Sequence, residues 1–318
     1  MGETLTLSIV TPSYNTGKYL GAAVRSVLEQ DWPLVHYAVM DGGSTDNSLD
    51  VLRSFGPRVQ WISEKDKGQS DAINKGFARG KGDVLSWLNS DDTYAPGAFR
   101  TAMEFLEANP DVGMVYGDAN FVDASDNLIG RCVHVEPYSR HRLFHYSDII
   151  VQPAAFFRRS VFEAVGGVDT SLNWAMDYDL WLKIAEKSKV AYVPQVLANF
   201  RWLAGNKTAT GGWGRLDEID RVLARHGLGT PAYVKLERVN MYVQEAKQAI
   251  GCGKFGAAAG SLKRATATLF SSRRALGSMF QPLTWKIIWT GQVLRARAAK
   301  AETENAMQSA KCEMQSAK

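Results

Sequence analysis

The chain has 318 residues, 45% of them apolar and 22% charged, with a formal net charge of +4. That length holds one large domain with an appendage, or two domains, and the composition excludes a disordered, collagenous or disulfide-stapled chain. The cysteines Cys132, Cys252 and Cys312 lack metal-ligand spacing and fit a reducing compartment, no apolar run approaches the roughly 18 residues of a membrane span, and no secretory signal is expected before the first strand.

Leu5 to Thr11 reads as a buried strand closed by Pro12, and Lys18 to Gln30 carries a helical stripe of Leu20, Ala23, Val24, Val27 and Leu28. His36 to Met40 is a second strand, followed by the turn-rich Asp41-Gly-Gly-Ser-Thr-Asp46, where Ser44 or Asp46 is placed to cap a helix through about Phe55. Val59 to Ile62 is a third strand, Gln69 to Arg79 a third helix and Val84 to Leu88 a fourth strand. Strands alternating with helices predict an α/β class with a mostly parallel, open sheet. Beyond Pro96, expected as the first helical residue, Gly97 to Ala108 is helical and Val112 to Tyr116 a strand. Residues 117–157 are less regular, with strand-like pieces near Asn120 and Arg131. A short helix at Ser160 to Val165, a longer one at Asp177 to Lys187 and a strand at Val190 to Val193, stopped by Pro194, follow.

After Gly229 the character changes. Ala232 to Ile250, Gly256 to Phe270 and a segment from Thr284 read as alanine-rich, basic helices, and Met-Gln-Ser-Ala-Lys occurs at 307–311 and 314–318. Residues 1–230 hold 23 Lys and Arg against 28 Asp and Glu, whereas residues 231–318 hold 14 against 5. The expected organisation is a domain over 1–229 and a basic helical region over 230–318 with a disordered tail. Phe280, Leu283, Trp285, Ile287, Ile288 and Trp289 beside Lys286, Arg295 and Arg297 suit an interfacial helix on anionic lipid, or a helix packed on the domain. Nucleic acid is not expected as a partner, because the positive charge is confined to this region.

The chemistry concentrates where predicted strands end. Asp91 and Asp92 follow the buried run Val84 to Leu88, in the loop at the carboxyl end where α/β sheets bind ligands. Adjacent carboxylates repel unless a cation joins them, and a divalent metal shared with substrate phosphates suits them. The plainer alternative is that Asn89 to Asp92 caps the next helix. Thr11-Pro-Ser-Tyr-Asn15, Asp41-Gly-Gly-Ser-Thr-Asp46 and Asp66-Lys-Gly-Gln-Ser-Asp71 stand at three other strand ends, so a crevice lined by Asp, Tyr and Asn is expected to read a nucleoside. Neither a dinucleotide fingerprint nor a Walker loop is present.

These four segments, in order, with the Lys67-Gly to Asn74-Lys-Gly76 stretch and a fifth at Asn173-Trp-Ala-Met-Asp-Tyr-Asp-Leu-Trp-Leu182, resemble family 2 glycosyltransferases from about residue 5 to 210. The resemblance implies a GT-A fold and an inverting transfer from a nucleotide-sugar, a UDP-sugar by preference, to a glycan or lipid-linked glycan in polysaccharide biosynthesis. It implies that Pro12, Tyr14 and Asn15 sit beside base and ribose, that Asp41 accepts from the base N–H with Ser44 nearby, and that Asp71 lies near base and diphosphate. Asp91 would hold the ribose and Asp92 the metal, Mn²⁺ or Mg²⁺. Asp177 aligns with the catalytic base, with Met176 where relatives carry Glu, while Asp179 would be structural above Leu180 and Trp181. Gln152 and Trp174 would border the acceptor side. Leu203 stands where many relatives have a metal-binding histidine, which leaves Asn206 and Lys207 as candidates for direct diphosphate contact, or Lys207 with Arg201 as partial substitutes for the metal. Work at the cytoplasmic face of a membrane is the expected setting. The alternative is a non-catalytic nucleotide- or sugar-binding module of the same fold.

Overall fold

A computed structural model of the chain describes residues 4–203 and 205–271. They fall into two compact units: residues 4–122, 126–201 and 218–229 make the first, and residues 123–125, 202–203, 205–217 and 230–271 the second. In the first unit the elements are β1 (Leu7–Ser13), α1 (Gly17–Leu28), β2 (Val35–Asp41), α2 (Ser48–Ser54), β3 (Gln60–Ser63), α3 (Gln69–Arg79), β4 (Val84–Trp87), β5 (Thr93–Tyr94), α4 (Ala98–Ala108), β6 (Val112–Val122), β7 (Leu128–Arg131), α5 (Arg140–His145), β8 (Ala155–Arg158), α6 (Arg159–Ala164), α7 (Met176–Lys187) and β9 (Lys189–Arg201).

The strands form one nine-stranded sheet in the order β3-β2-β1-β4-β8-β6-β9-β5, with β7 paired to β6. The half from β3 to β4 is parallel, as alternating strands and helices require. Beyond β4 the sheet is mixed: β8 runs antiparallel to β4 and β6, β9 parallel to β6, and β5 antiparallel to β9. Strand β8 comes from the stretch that looked irregular. It is four residues long and follows a single 3-10 turn, Gln152–Ala154, too short for a periodic pattern. The core below the strand ends is aromatic. Trp87 of β4 stacks on Trp181 of α7 at 5.6 Å between ring centroids, with Phe77, Phe157 and Phe162 edge-on or stacked around them.

Three boundaries differ from expectation, each at a proline. Strand β1 continues through Pro12 to Ser13. Pro12 points the same way as Val10, whose carbonyl accepts from Leu88 N–H, so its missing N–H falls beyond the point where β4 has ended. Pro96 does not start a helix: Thr93–Tyr94 pairs with β9, and α4 begins at Ala98 behind Gly97 at φ +77°. Strand β9 runs through Pro194 because its pairing with β6 skips from Val193 to Val196, a bulge that needs no proline N–H.

The sequence reading also missed helix α9, Gly212–Arg225, preceded by the short α8, Lys207–Thr210. The division between units falls within α9, after Asp217. In the second unit α10 (Ala232–Gly251) and α11 (Phe255–Phe270) form a hairpin turned at Gly253, φ +71°. Glu245 gathers Trp213 Nε1, Ser261 Oγ and the Arg264 guanidinium there, and Arg215 is paired with Glu237. The helix expected from Thr284 and the repeat tail lie outside the described residues.

Candidate active site

The parallel half of the sheet delivers four loops to one edge, and side-chain hydrogen bonds tie them to each other. Tyr14 follows β1 with its ring 62% exposed, and Pro12 is buried beneath it. Asn15 adopts φ +52°, a conformation that asparagine tolerates better than most residues. Its N–H donates to Ser44 Oγ at 2.8 Å, while its Oδ1 accepts from the N–H groups of Thr45 (2.8 Å) and Asp46 (3.3 Å). Asp46 accepts from Gly17 N–H and Ser48 N–H, the first residues of α1 and α2, so one carboxylate serves two helix starts. Burial raises its pKa, but these bonds, led by the Ser48 hydroxyl, hold the carboxyl below its ordinary range.

Asp41 ends β2 almost fully buried. Its Oδ2 accepts from Gly43 N–H, Ser44 N–H and Ser63 Oγ, and its Oδ1 from Ser44 Oγ. Among the described residues, that leaves Oδ1 with room for one more donor. The loop after β3 lies against it: a Cβ on Gly42 would stand 2.9 Å from Asp66 Oδ2, so a larger residue there would displace the Asp66 carboxylate. Asp66 accepts from Gly68 N–H, and Asp71 accepts from Lys67 N–H and pairs with Lys75 at 3.1 Å. The Lys67 bond and then Lys75 hold the Asp71 carboxyl below its usual range.

Gln69 Nε2 donates to Asn89 Oδ1 at 2.7 Å, joining the start of α3 to the loop after β4. Asn89 Nδ2 in turn reaches Asp92 Oδ2 at 3.3 Å. Asp92 is 2% exposed and its Oδ1 accepts from Arg201 N–H at 2.8 Å. The Arg201 side chain, 1% exposed, donates to the Asp91 carbonyl (2.8 Å) and to Asp126 Oδ1, and lies 4.8 Å over the Tyr19 ring. Burial drives both carboxyls upward, and the Asp91 charge pushes Asp92 well above its usual range. The helix-cap alternative fails, because α4 starts at Ala98, after an intervening strand.

Two adjacent, desolvated carboxylates that oppose each other's ionisation, with lone pairs left over, fit a divalent cation. Among the described residues no group of three or more His, Cys, Asp or Glu is placed to hold one. The fit is therefore to a hard cation that takes one or two carboxylates and completes its shell with phosphate oxygens and water.

The 168–177 segment is tied to helix α3. Asn74 of α3 clasps Val168, donating to its carbonyl (2.7 Å) and accepting from its N–H (3.1 Å), and Ser70 Oγ reaches the Leu172 carbonyl. Helix α7 begins at Met176 with Ala175 at the N-cap, a residue with no capping group. The backbone that leads into the helix is held by Glu218 of α9, whose buried carboxylate accepts from the N–H groups of Asn173, Trp174 and Ala175. Asp177 lies in the first turn and accepts from Tyr178 N–H. Asp148, bonded to Ile150 N–H, sits close enough to Asp177 for that charge, after burial, to raise its carboxyl well above the ordinary range. Asp179 is buried against Lys183 at 2.5 Å, with His226 beyond it at 3.9 Å. Gln152 is buried and its Nε2 donates to the Trp87 carbonyl at 2.7 Å, bracing the end of β4. Trp174 is half-buried.

The first unit thus gathers Pro12, Tyr14, Asn15, Asp41, Ser44, Asp71, Asp91 and Asp92 on linked strand-end loops, with Asp177 on a segment clasped by the same helix α3. Leu203, Asn206 and Lys207 fall in the second unit. Glu218, Asp148 and Asn74 had not been singled out from the sequence. For the helix α9 that carries Glu218 a signal existed: Leu216, Ile219, Val222 and Leu223, all buried, have helical spacing. Asp148 and Asn74 are recognisable only by what tertiary structure puts beside them.

The model of the family described as Glycosyl transferase family 2 matches residues 8–166. Among curated relatives, chondroitin synthase of Escherichia coli is 30% identical over 206 residues, covering 64% of this chain but only 30% of that protein's length. Among solved structures, S. aureus TarS 1-349 in complex with UDP-GlcNAc aligns with a TM-score of 0.57 at 15% identity, covering 92% of this chain and 79% of that one. The mannosyltransferase PcManGT from Pyrobaculum calidifontis, in complex with GDP-Man and Mn²⁺, aligns at 0.56 and 20% identity, covering 92% and 86%. At these identities the two structures speak for the fold, which is GT-A.

Proposed function

Because this chain belongs to glycosyl transferase family 2, we propose that its first unit transfers a sugar from a nucleoside diphosphate sugar, a UDP-sugar first among candidates, to a hydroxyl of a glycan or lipid-linked glycan, inverting the anomeric centre. One observation carries this reading: the loops after β1 to β4 are linked to one another by side-chain hydrogen bonds that end at the buried Asp92 beside Asp91, and Asp177 lies on a segment fixed to the same α3.

Tyr14 offers an exposed ring for a base, and Asp41 one free acceptor site, which suits the single ring N–H of uracil. Asn15 and Ser44 hold that corner rigid, and Asp91 is the carboxylate for ribose hydroxyls. Asp92 would hold Mn²⁺ or Mg²⁺, which supplies charge neutralisation for a departing diphosphate. On the far side Asp177 takes the proton of the acceptor hydroxyl as its oxygen bonds the anomeric carbon. The bond from that carbon to the phosphate oxygen breaks and its electron pair leaves with the diphosphate. Attack opposite the leaving group in one step gives inversion. Gln152 and Trp174 serve the acceptor side in this reading, with the Gln152 amide nitrogen also bonded to the Trp87 carbonyl.

The setting belongs to the same proposal. No helix among the described residues is long and apolar enough to cross a membrane, and the basic 230–318 region would hold the enzyme at the anionic cytoplasmic face of one.

The test combines binding with turnover. UDP-, GDP- and dTDP-sugars are screened for protection against thermal unfolding, with and without Mn²⁺, and nucleoside diphosphate release is followed for those that protect. Asp177→Asn should lower turnover by at least about 10²-fold, the scale of a lost general base, with the protection unchanged. Protection without turnover in the wild type would instead mark a binding module.

A further inference from the structure

We propose that Glu218 is a positioning residue for the transfer, holding the 173–175 backbone and so the place of Asp177; this rests on the reading of Asp177 as the base. The residue lies outside the 8–166 match and outside every segment that carries the family resemblance. Its carboxylate, 1% exposed, accepts from three successive N–H groups: Asn173 to both oxygens at 2.9 Å each, and Trp174 and Ala175 (2.7 Å) to Oε1.

A helix start can be capped locally by one serine or aspartate. Here the N-cap is Ala175, and its N–H with the two before it is held by a side chain 43 residues away. A local cap steadies a helix end against itself, whereas a remote one also fixes the end against the body of the unit. Asp177 is two residues beyond the last capped N–H, so its carboxylate goes where that backbone goes. The other end of the segment is pinned by Asn74 at Val168 and Ser70 at Leu172. Without Glu218, the N–H groups of Asn173, Trp174 and Ala175 lose these acceptors, while the upstream bonds at Val168 and Leu172 remain.

Burying an acid is costly unless its charge is met. The nearest cationic group, the Arg221 guanidinium, is 3.6 Å away on a largely exposed side chain. The charge is met chiefly by the backbone N–H groups and the positive end of α7. An arrangement that only closed the core would use an apolar residue here; a carboxylate fixes backbone positions.

The test uses the full chain and whichever of UDP-GlcNAc, UDP-glucuronic acid, UDP-galactose or GDP-mannose the wild type turns over fastest. Glu218→Ala, Glu218→Gln and Asp177→Asn are compared well below their unfolding temperatures. The proposal expects Glu218→Ala to lose at least about tenfold in kcat, since displacements of about 1 Å can cost 10²-fold, with donor KM within about twofold of wild type. Glu218→Gln, which keeps one accepting oxygen, should fall between. If Asp177→Asn is inactive while Glu218→Ala keeps wild-type kcat, Glu218 serves stability alone and the proposal is overturned. If Asp177→Asn keeps its kcat, the base reading itself fails, and the proposal with it. Should Glu218→Ala not fold, Glu218→Gln decides by the same split: lower kcat at constant KM supports positioning, and unchanged kcat refutes it.

Discussion

Asn15 shows how a single side chain joins scaffold to site. Its amide oxygen satisfies two backbone N–H groups of the loop after β2, and its own N–H bonds Ser44. Asn15→Ala should free that loop and weaken UDP binding by about tenfold, the size of one or two lost hydrogen bonds, as titration calorimetry would read. Asp92 should behave differently. It is buried beside a like charge, so the ligand-free fold carries the repulsion. Asp92→Asn keeps an acceptor for Arg201 N–H and removes that repulsion. We expect a Tm equal to or above wild type without metal, together with loss of the Mn²⁺-dependent part of donor protection, both read by thermal unfolding. The acid pair could be picked out from the sequence because adjacent carboxylates after an apolar strand are anomalous there. Glu218 could not, because its partners are backbone groups far along the chain.

At the level of elements, α3 and α7 matter most. Helix α3 was legible from its apolar stripe, but its clasp on Val168 was not, since Asn74 looks like an ordinary polar face. Asn74→Ala leaves the Val168 N–H and carbonyl without this partner and should cost about 1–3 kcal/mol in urea unfolding. Helices α7 and α9 are joined through Asp179, Lys183, His226 and Glu186. The Asp179 carboxylate, 3.9 Å away, raises the His226 pKa above its ordinary 6.5, burial opposes this, and Glu186, 2.8 Å from Nδ1, adds to it. A raised folded-state pKa means that the charged imidazole stabilises the fold fully below about pH 6.5, and that this contribution fades as pH climbs through the higher folded value. Chemical denaturation should therefore show stability declining above neutrality. His226→Gln should flatten that decline and also soften the acid side, because His226 with Lys183 holds the Asp179 carboxyl below its usual range against burial. Proline misled the boundaries because each one sits where pairing has ended or skips a residue, which local sequence does not reveal.

For the whole molecule, charge and fold are segregated. The sheet-bearing part is slightly acidic and the last 88 residues strongly basic, with 14 cationic against 5 anionic side chains from 231 on. Truncation before residue 271 should release the protein from vesicles containing anionic lipid while preserving donor binding, as flotation and calorimetry would show; retention on vesicles would sink the membrane role. The fold class was readable because strand–helix alternation is a long-range pattern repeated several times. The mixed half was not, since β8 and β5 are too short for periodicity and are fixed only by their neighbours.

The antiparallel β8, set between β4 and β6, has a further consequence. Every loop assigned here to the donor lies before it in one uninterrupted stretch, residues 7–92, and Asp177 with its supports lies after it, save for the clasp from α3. Such a seam is a natural crossover point for recombination. A chimera joining residues 1–92 to the later part of a relative, with the Asn74 contact retained, should keep its nucleotide preference while exchanging its acceptor, so that the two specificities can drift separately in evolution.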